Sequence, residues 1–337
     1  MADRSAYGGQ AVIEGVMIRG KTRVATACRV KDGSIVVRHD DADPMTQRAP
    51  WLRLAFLRGT PALIDSLRLG YKTLMWSADV AMEGEDQPQI KPSQTYAAMA
   101  VAMLIGIGVF VLLPTYLLKW VFPGAEDAAA QLARSHNWWT QLTPTLPGLL
   151  QNLAEGLLRI LMLVGYILFI SRMKDIRRVF AYHGAEHKVV NAWEAGAEMT
   201  VAGAKPYSRI HPRCGTSFIF LVFIVGILLH AVVGWPVAWL RVIIRLLMLI
   251  PVAGVAYELI RLAGRYRNSL LLKILVWPGM LLQQLTTAEP EDDQIEVALH
   301  SMKSVLIEEG VLPPDPEMAP EPTVAPQLPP AGEAAPA

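Results

Sequence analysis

The chain of 337 residues is 53% hydrophobic and 18% charged, with a formal net charge of +1. That balance points to the membrane class and excludes the basic footprint of a nucleic-acid binder. Its two cysteines, Cys28 and Cys214, are too few for a disulfide framework.

The opening run MADRSAYGGQ has no apolar stretch, so no cleavable signal peptide is predicted and the N-terminus is expected to stay cytoplasmic. Residues 1–50 read as a small β-rich element. Residues 11–18 are apolar between glycines, and residues 23–30 and 34–38 flank Lys31-Asp32-Gly33, a hairpin signal. The glycine-bracketed run from Gly8 to Gly20 is read as a strand carrying Gln10 and Glu14 on one face, with Arg19 further on. Gln10 and Glu14 form a candidate site against a later helix, although tight turns alone also explain the glycines. The run is not a phosphate-binding G-x-G-x-x-G. Residues 51–85 read as helical: 51–57, a break at Gly59-Thr60-Pro61, then 62–82. The second part is amphipathic and either lies on the inner membrane surface or packs on a cytoplasmic domain.

Four stretches are predicted to span a bilayer: 97–118, 149–170, 217–233 and 240–260. A fifth, 270–285, holds Lys273, Pro278 and Gly279 and reads as interfacial or re-entrant. Residues 1–96 hold 13 of the 31 Lys and Arg, residues 119–148 two, and residues 171–216 eight. Basic loops stay inside. Both termini and the 171–216 loop are therefore expected in the cytoplasm, with Trp138, Trp139, Trp235 and Trp239 in an outer aromatic belt. In that reducing compartment both cysteines are expected as thiols.

The predicted fold class is an α-helical polytopic membrane protein of about four transmembrane helices with a small N-terminal α+β cytoplasmic element. Residues 1–96 make that element with its amphipathic helices. Residues 97–286 make the membrane domain, 287–310 a cytoplasmic amphipathic helix and 311–337 a disordered Pro/Ala-rich tail.

Chemistry concentrates in His183-Gly184-Ala185-Glu186-His187, an H-x-x-E-H motif. On a helix, positions i, i+3 and i+4 share a face. Two imidazoles four residues apart can grip one Zn²⁺ or another divalent transition metal, with the carboxylate as general base on a bound water. This order is the inverzincin signature. Asn191 and Glu194 continue the stripe, and Gly196 is a plausible C-cap. His211-Pro212-Arg213-Cys214-Gly215 adds two ligand types across a two-residue gap, just before the third apolar stretch. Three of the seven His and one of the two Cys thus fall within residues 183–214. The metal candidates are His183, His187, His211, Cys214 and, as a distant carboxylate, Glu258; Glu186 is the candidate catalytic base. The plain alternatives are an exposed helix face for the histidines and an Arg261 or Arg245 partner for Glu258.

The segments GGQAVIEGVMIRG, LRGTPALIDSLRLGYKTLMWSA, FAYHGAEHKVVNAWEAG and HPRCGTSF resemble, in this order, the YqhQ-like bacterial membrane proteins. That family of unknown function is described as predicted metal-dependent enzymes. The resemblance covers roughly residues 7–310 and implies site roles for His183, Glu186, His187, His211 and Cys214, with Gln10 and Glu14. It also implies a multi-pass protein of the bacterial inner membrane.

Three functions follow as expectations. The first is a membrane-embedded metal-dependent hydrolase acting on a peptide or lipid-linked molecule from the cytoplasmic face. The second is a non-catalytic scaffold or assembly factor stapled by a closed His/His/His/Cys zinc site. The third is a Cys-His nucleophilic enzyme built on Cys214. A transporter lacks the expected paired broken helices. The lipid bilayer is the expected partner, nucleic acid is not, and a homo-oligomer stays open.

Overall fold

The computed structural model describes residues 7–42, 44–45, 52, 54–82, 92–121, 146–233, 236, 238–266 and 269–315. Trp138, Trp139, Trp235 and residues 316–337 of the tail lie outside the described residues.

Strands β1 (Gly8–Val12), β2 (Gly15–Arg19), β3 (Arg23–Arg29) and β4 (Ile35–Asp41) form an antiparallel meander in that order. The strand expected over 11–18 is interrupted. Ile13 and Glu14 form a two-residue turn, with Glu14 at φ +52° and Val12 opposite Gly15. Such turns need left-handed backbone to match the strand twist. Gly15 follows because a Cβ there would sit 2.3 Å from the Ala27 carbonyl oxygen. The turn at Lys31-Asp32-Gly33 forms as expected, with the Asp32 carboxylate accepting from the Ser34 amide at 2.8 Å.

Helix α1 (Gly59–Met82) begins at the expected break. Gly59-Thr60-Pro61 starts a helix instead of separating two, because proline is tolerated in the first turn. Residues 54–58 form a turn, with Phe56 at φ +66°. Helix α2 (Pro92–Ile107) runs through a widened turn at Gly108–Leu112 into α3 (Leu113–Val121). Then come α4 (Leu146–Ile170), α5 (Lys174–Ala195), the short α6 (Val201–Ala204), α7 (Gly215–Ala231), α8 (Ala238–Arg265), α9 (Leu270–Thr286) and α10 (Asp292–Glu308). Gly196, at φ +78°, caps α5. Glu291 and Gln294 make a reciprocal capping box on α10.

Segments far apart in sequence share one core. Val16, Ile18, Ala25 and Ala27 of the sheet pack with Tyr182, Ala185 and Val189 of α5 and with Ile295, Met302 and Leu306 of α10. The opposite sheet face packs Val12, Met17, Val24 and Cys28 against Val80 and Trp76 of α1. The sheet is therefore covered on both faces, and α10 is central to this core. Each large side chain buried there contributes roughly 1.5–3 kcal/mol. Exposed ion pairs such as Lys205–Asp292 contribute about 0–1 kcal/mol, so apolar packing holds α10 in place.

Three helical stretches are long and apolar enough to cross a membrane: Ala100–Leu118, Gly148–Ile170 and Trp239–Ala263. Helices α7 and α9 are also apolar, but each has 17 residues, the short end of the ~17–25-residue range for a span. The expected span at 217–233 is thus a helix of the same length displaced by two residues, Gly215–Ala231, packed against α4, α8 and α9. Glu155 of α4 meets Arg245 of α8, Arg159 of its own helix at 2.6 Å and the Thr115 hydroxyl of α3 at 2.9 Å. A buried carboxylate persists only with such partners, and this cluster ties three apolar helices together.

Glu309 joins the end of α10 to the sheet. Its carboxylate accepts from the Thr22 amide at 2.7 Å, the Tyr7 hydroxyl at 2.9 Å and the Arg23 amide at 3.2 Å. Burial pushes its pKa up, but these hydrogen bonds outweigh burial and hold it below the ordinary carboxylate value. A depressed folded-state pKa gives stability that is present above the unfolded value and is lost as pH falls through the folded one. Glu309→Gln is expected to lower the melting midpoint at pH 7, with the wild-type advantage fading below about pH 4. A deficit independent of pH, measured by thermal melts in detergent, would contradict this role.

Candidate metal centre

Helix α5 places His183, Glu186, His187, Asn191 and Glu194 along one stripe, and the segment 205–214 lies against that stripe. Lys188 donates to the carbonyls of Lys205 and Tyr207 at 2.8 and 3.0 Å, and Asn191 to those of Ser208 and Ile210 at 2.8 and 3.1 Å. Glu194 pairs with Arg213. Gln283 of α9, fully buried, accepts from the His211 amide at 2.9 Å and donates to the His211 carbonyl at 2.8 Å and the Ser217 hydroxyl at 2.6 Å. The segment is thereby held from both sides.

The ligand atoms of His183, His187 and Cys214 all lie within 4.8 Å of one another. Each imidazole is oriented through its Nδ1. His183 Nδ1 lies 2.9 Å from the Thr286 carbonyl oxygen, and His187 Nδ1 lies 2.7 Å from that of Arg209. A carbonyl only accepts, so each Nδ1 carries the proton and each neutral ring presents a bare Nε2. Backbone carbonyls orient metal-binding histidines in this way. His183 Nε2 sits 3.2 Å from Cys214 Sγ. The sulfur is at the N-cap of α7, where the Thr216 amide points at it from 3.4 Å.

Glu186 is 3% exposed, and its carboxylate stands 3.4 Å from His187 Nε2. Among the described residues it has no hydrogen bond and no other charged partner. A bare imidazole nitrogen and a carboxylate are both acceptors. Their approach needs a positive charge between or beside them, either a proton or a cation. Two imidazole nitrogens, one sulfur and an adjacent carboxylate fit the donor chemistry of Zn²⁺.

His211 does not join this set. Its Nδ1 accepts from the Arg213 amide at 3.3 Å, while Nε2 faces Glu194 at 3.6 Å. The tight turn that brings Cys214 into place consumes one ring nitrogen, and the buried Nε2 has no hydrogen-bond partner among the described residues, facing Glu194 from 3.6 Å. Glu258 is also elsewhere: both its oxygens engage Arg58, and one accepts from the Phe56 amide. Nearby, Gly254 leaves room for the Phe56 carbonyl, which a Cβ would meet at 2.0 Å. Its role is this close approach of the turn before α1 to α8; α8 continues through Pro251.

Gln10 donates to the Thr73 hydroxyl of α1 at 3.1 Å. Glu14, in the turn and not on a strand, accepts from Arg178 and, at 3.3 Å, from the Tyr182 hydroxyl. Burial, then the Glu14 charge, pushes the Tyr182 pKa up, and the hydrogen bond from its guanidinium to Glu14 pushes that of Arg178 up. Both candidates thus clamp the sheet to helices. Cys28 is fully buried, and burial pushes its thiol pKa up strongly.

A cleft of about 430 Å³ opens beside the cluster, lined by Glu186, His187, His211 and Cys214 on one side and by Tyr7, Gly8, Gly9, Arg19 and Gly20 on the other. Tyr257 of α8 and Arg213 complete its wall. The N-terminal glycine run therefore does reach the site, through its backbone and Arg19. The sequence pattern does not single out Gln283 or Tyr257; a glutamine inside an apolar helix is the one available signal.

The chain matches the family described as "Protein of unknown function (DUF1385)" over residues 54–308. It is similar to "Uncharacterized protein YqhQ" of Bacillus subtilis (strain 168), 36% identical over 319 residues, covering 89% of this chain and 92% of that protein. No solved structure matches.

Gly184 determines how the motif helix meets the connector between α9 and α10. A Cβ there would sit 2.2 Å from the Ala288 carbonyl oxygen, beside the bond from the Ala288 amide to the Phe180 carbonyl at 2.8 Å. Gly184→Ala is expected to cost ~1–3 kcal/mol through overpacking and to displace the connector that carries Thr286 and Ala288. Unchanged stability, measured by thermal melting, would refute the close approach.

Proposed function

The chain belongs to this family of proteins of unknown function, and within it we propose a membrane-embedded metal-dependent hydrolase. His183, His187 and Cys214 hold the metal, and Glu186 is the general base. The observation that carries this reading is the convergence of three ligands, each imidazole oriented by a backbone carbonyl, at the wall of a cleft shared with a buried carboxylate. A catalytic zinc keeps three protein ligands and one open position, whereas a structural zinc is closed by four. The diversion of His211 toward Glu194 therefore favours catalysis over a staple. A bound divalent ion supplies Lewis acidity and makes water a nucleophile at neutral pH. Glu186 takes the proton, His183 and His187 keep fixed tautomers, and the cleft admits the substrate.

The membrane part of the reading rests on three apolar helices and on apolar side chains left uncovered. Ile64, Leu67 and Leu74 of α1 are 46%, 65% and 44% exposed, and they line the face of α1 that would rest on a bilayer. The basic loops favour a cleft at the cytoplasmic surface. Helix α9 starts four residues after α8 and returns to the site, where Thr286 meets His183. That path suits a helix along the inner surface better than a crossing one. Substrates reach such a site from the cytoplasm, as peptides or lipid-linked molecules.

A second reading is favoured by one contact. His183 Nε2 at 3.2 Å from Cys214 Sγ, with the ring held by Thr286, is also the geometry of a Cys-His nucleophile.

Elemental analysis of full-length protein in a mild detergent separates the two. We expect about one zinc-class ion per chain, lost in His183→Ala, His187→Ala and Cys214→Ala and retained in Glu186→Gln. Iodoacetamide should modify Cys214 only after chelation, Cys28 being buried. A metal-free protein whose Cys214 alkylates rapidly, and more slowly after His183→Ala, would replace the hydrolase with the thiol enzyme.

A further inference from the structure

We propose that the cleft selects ligands bearing an oxyanion, a phosphate or carboxylate group, and that Arg19 binds it. This deepens the hydrolase reading and rests on it for the step from ligand to substrate.

Arg19 ends β2 and reaches the cleft half-buried. Other arginines around the site are neutralised: Arg213 by Glu194, Arg178 by Glu14 and Arg58 by Glu258. Among the described residues the Arg19 side chain makes no hydrogen bond and no ion pair. A guanidinium withdrawn from bulk water without a counter-charge is complementary to an anion, and its flat fork suits two-oxygen groups.

The space beside it is open. Gly8 is the register partner of Arg19, and among the described residues a Cβ built on Gly8 meets nothing within 4 Å. Across the cleft the Tyr257 hydroxyl has no hydrogen-bond partner among the described residues, so it offers a further donor. Glu186 lines the same cleft. A bound anion would avoid that carboxylate and settle toward Arg19, leaving the neighbouring bond of the molecule to face Glu186 and His187. The polarity of the cleft thus orients what enters it.

Tyr257 belongs to the apolar stretch Trp239–Ala263, so the oxyanion has two sources, a soluble molecule or a lipid headgroup. The test titrates full-length protein in maltoside detergent with inorganic phosphate, with succinate, and with mixed micelles containing phosphatidylglycerol, following the melting midpoint. The variants are Arg19→Gln and Gly8→Leu; the second fills the open space without removing a charge. We expect one probe class to stabilise the wild type and to bind about tenfold or more weakly to both variants. Phosphate or succinate as that probe identifies a soluble ligand, and phosphatidylglycerol alone identifies a lipid. Equal stabilisation of Arg19→Gln, or none by any probe, overturns the inference. Metal content is measured on the same samples. Intact metal with no Arg19-dependent binding sinks this inference alone, whereas Arg19-dependent binding without metal sinks the hydrolase and leaves the anion site.

Discussion

The hydrogen bond from His183 Nδ1 to the Thr286 carbonyl is the contact on which the rest of the site depends. It exists because Gly184 lets the α9–α10 connector lie against α5, where the Ala288 amide also bonds to the Phe180 carbonyl. With the connector in place, one imidazole has a defined tautomer and Gln283, just upstream, is positioned to grip His211. The cysteine then arrives at the N-terminus of α7 facing Nε2. Neither imidazole chooses its own direction; both are set by backbone that comes from elsewhere in the chain.

Two kinds of force divide the labour. Apolar burial around Tyr182, Ile295 and Met302 fastens the sheet, α5 and α10 into one body. Polar contacts then decide registration within that body. Lys188 and Asn191 hold carbonyls of the 205–210 segment, and Glu309 accepts from the loop between β2 and β3. Each such bond is modest, about 0.5–1.5 kcal/mol net, but together they bring the ligand atoms of His183, His187 and Cys214 within 4.8 Å of one another.

Local geometry was the legible part. The i, i+3, i+4 spacing of H-x-x-E-H puts its side chains on one helical face whatever the tertiary structure, and Gly196 ends that helix as its type predicts. The Cys214 turn could be read as well, since it directly precedes an apolar helix. The rest depended on partners at long range. Nothing in the spacing of Glu258 indicates Arg58, and nothing around His211 shows that Arg213 takes its Nδ1. The glycine run misled in a specific way. A two-residue turn at Ile13-Glu14 breaks the alternation, so Glu14 leaves the strand face and the run serves the cleft through its glycines and Arg19.

The bond between Tyr7 and Glu309 spans 302 residues, and within that interval the cleft draws its walls from segments between Tyr7 and Tyr257. Closing so long a loop in a free chain costs conformational entropy that grows with its length, and non-local contacts of this kind form slowly. The apolar helices between them pack on one another and bring the chain back to the sheet. Until residues 286–309 have been made and have docked, the early strands lack one covering layer and His183 lacks the carbonyl that orients it. The cluster is consequently complete only once the chain has been made through Thr286, more than a hundred residues after His183.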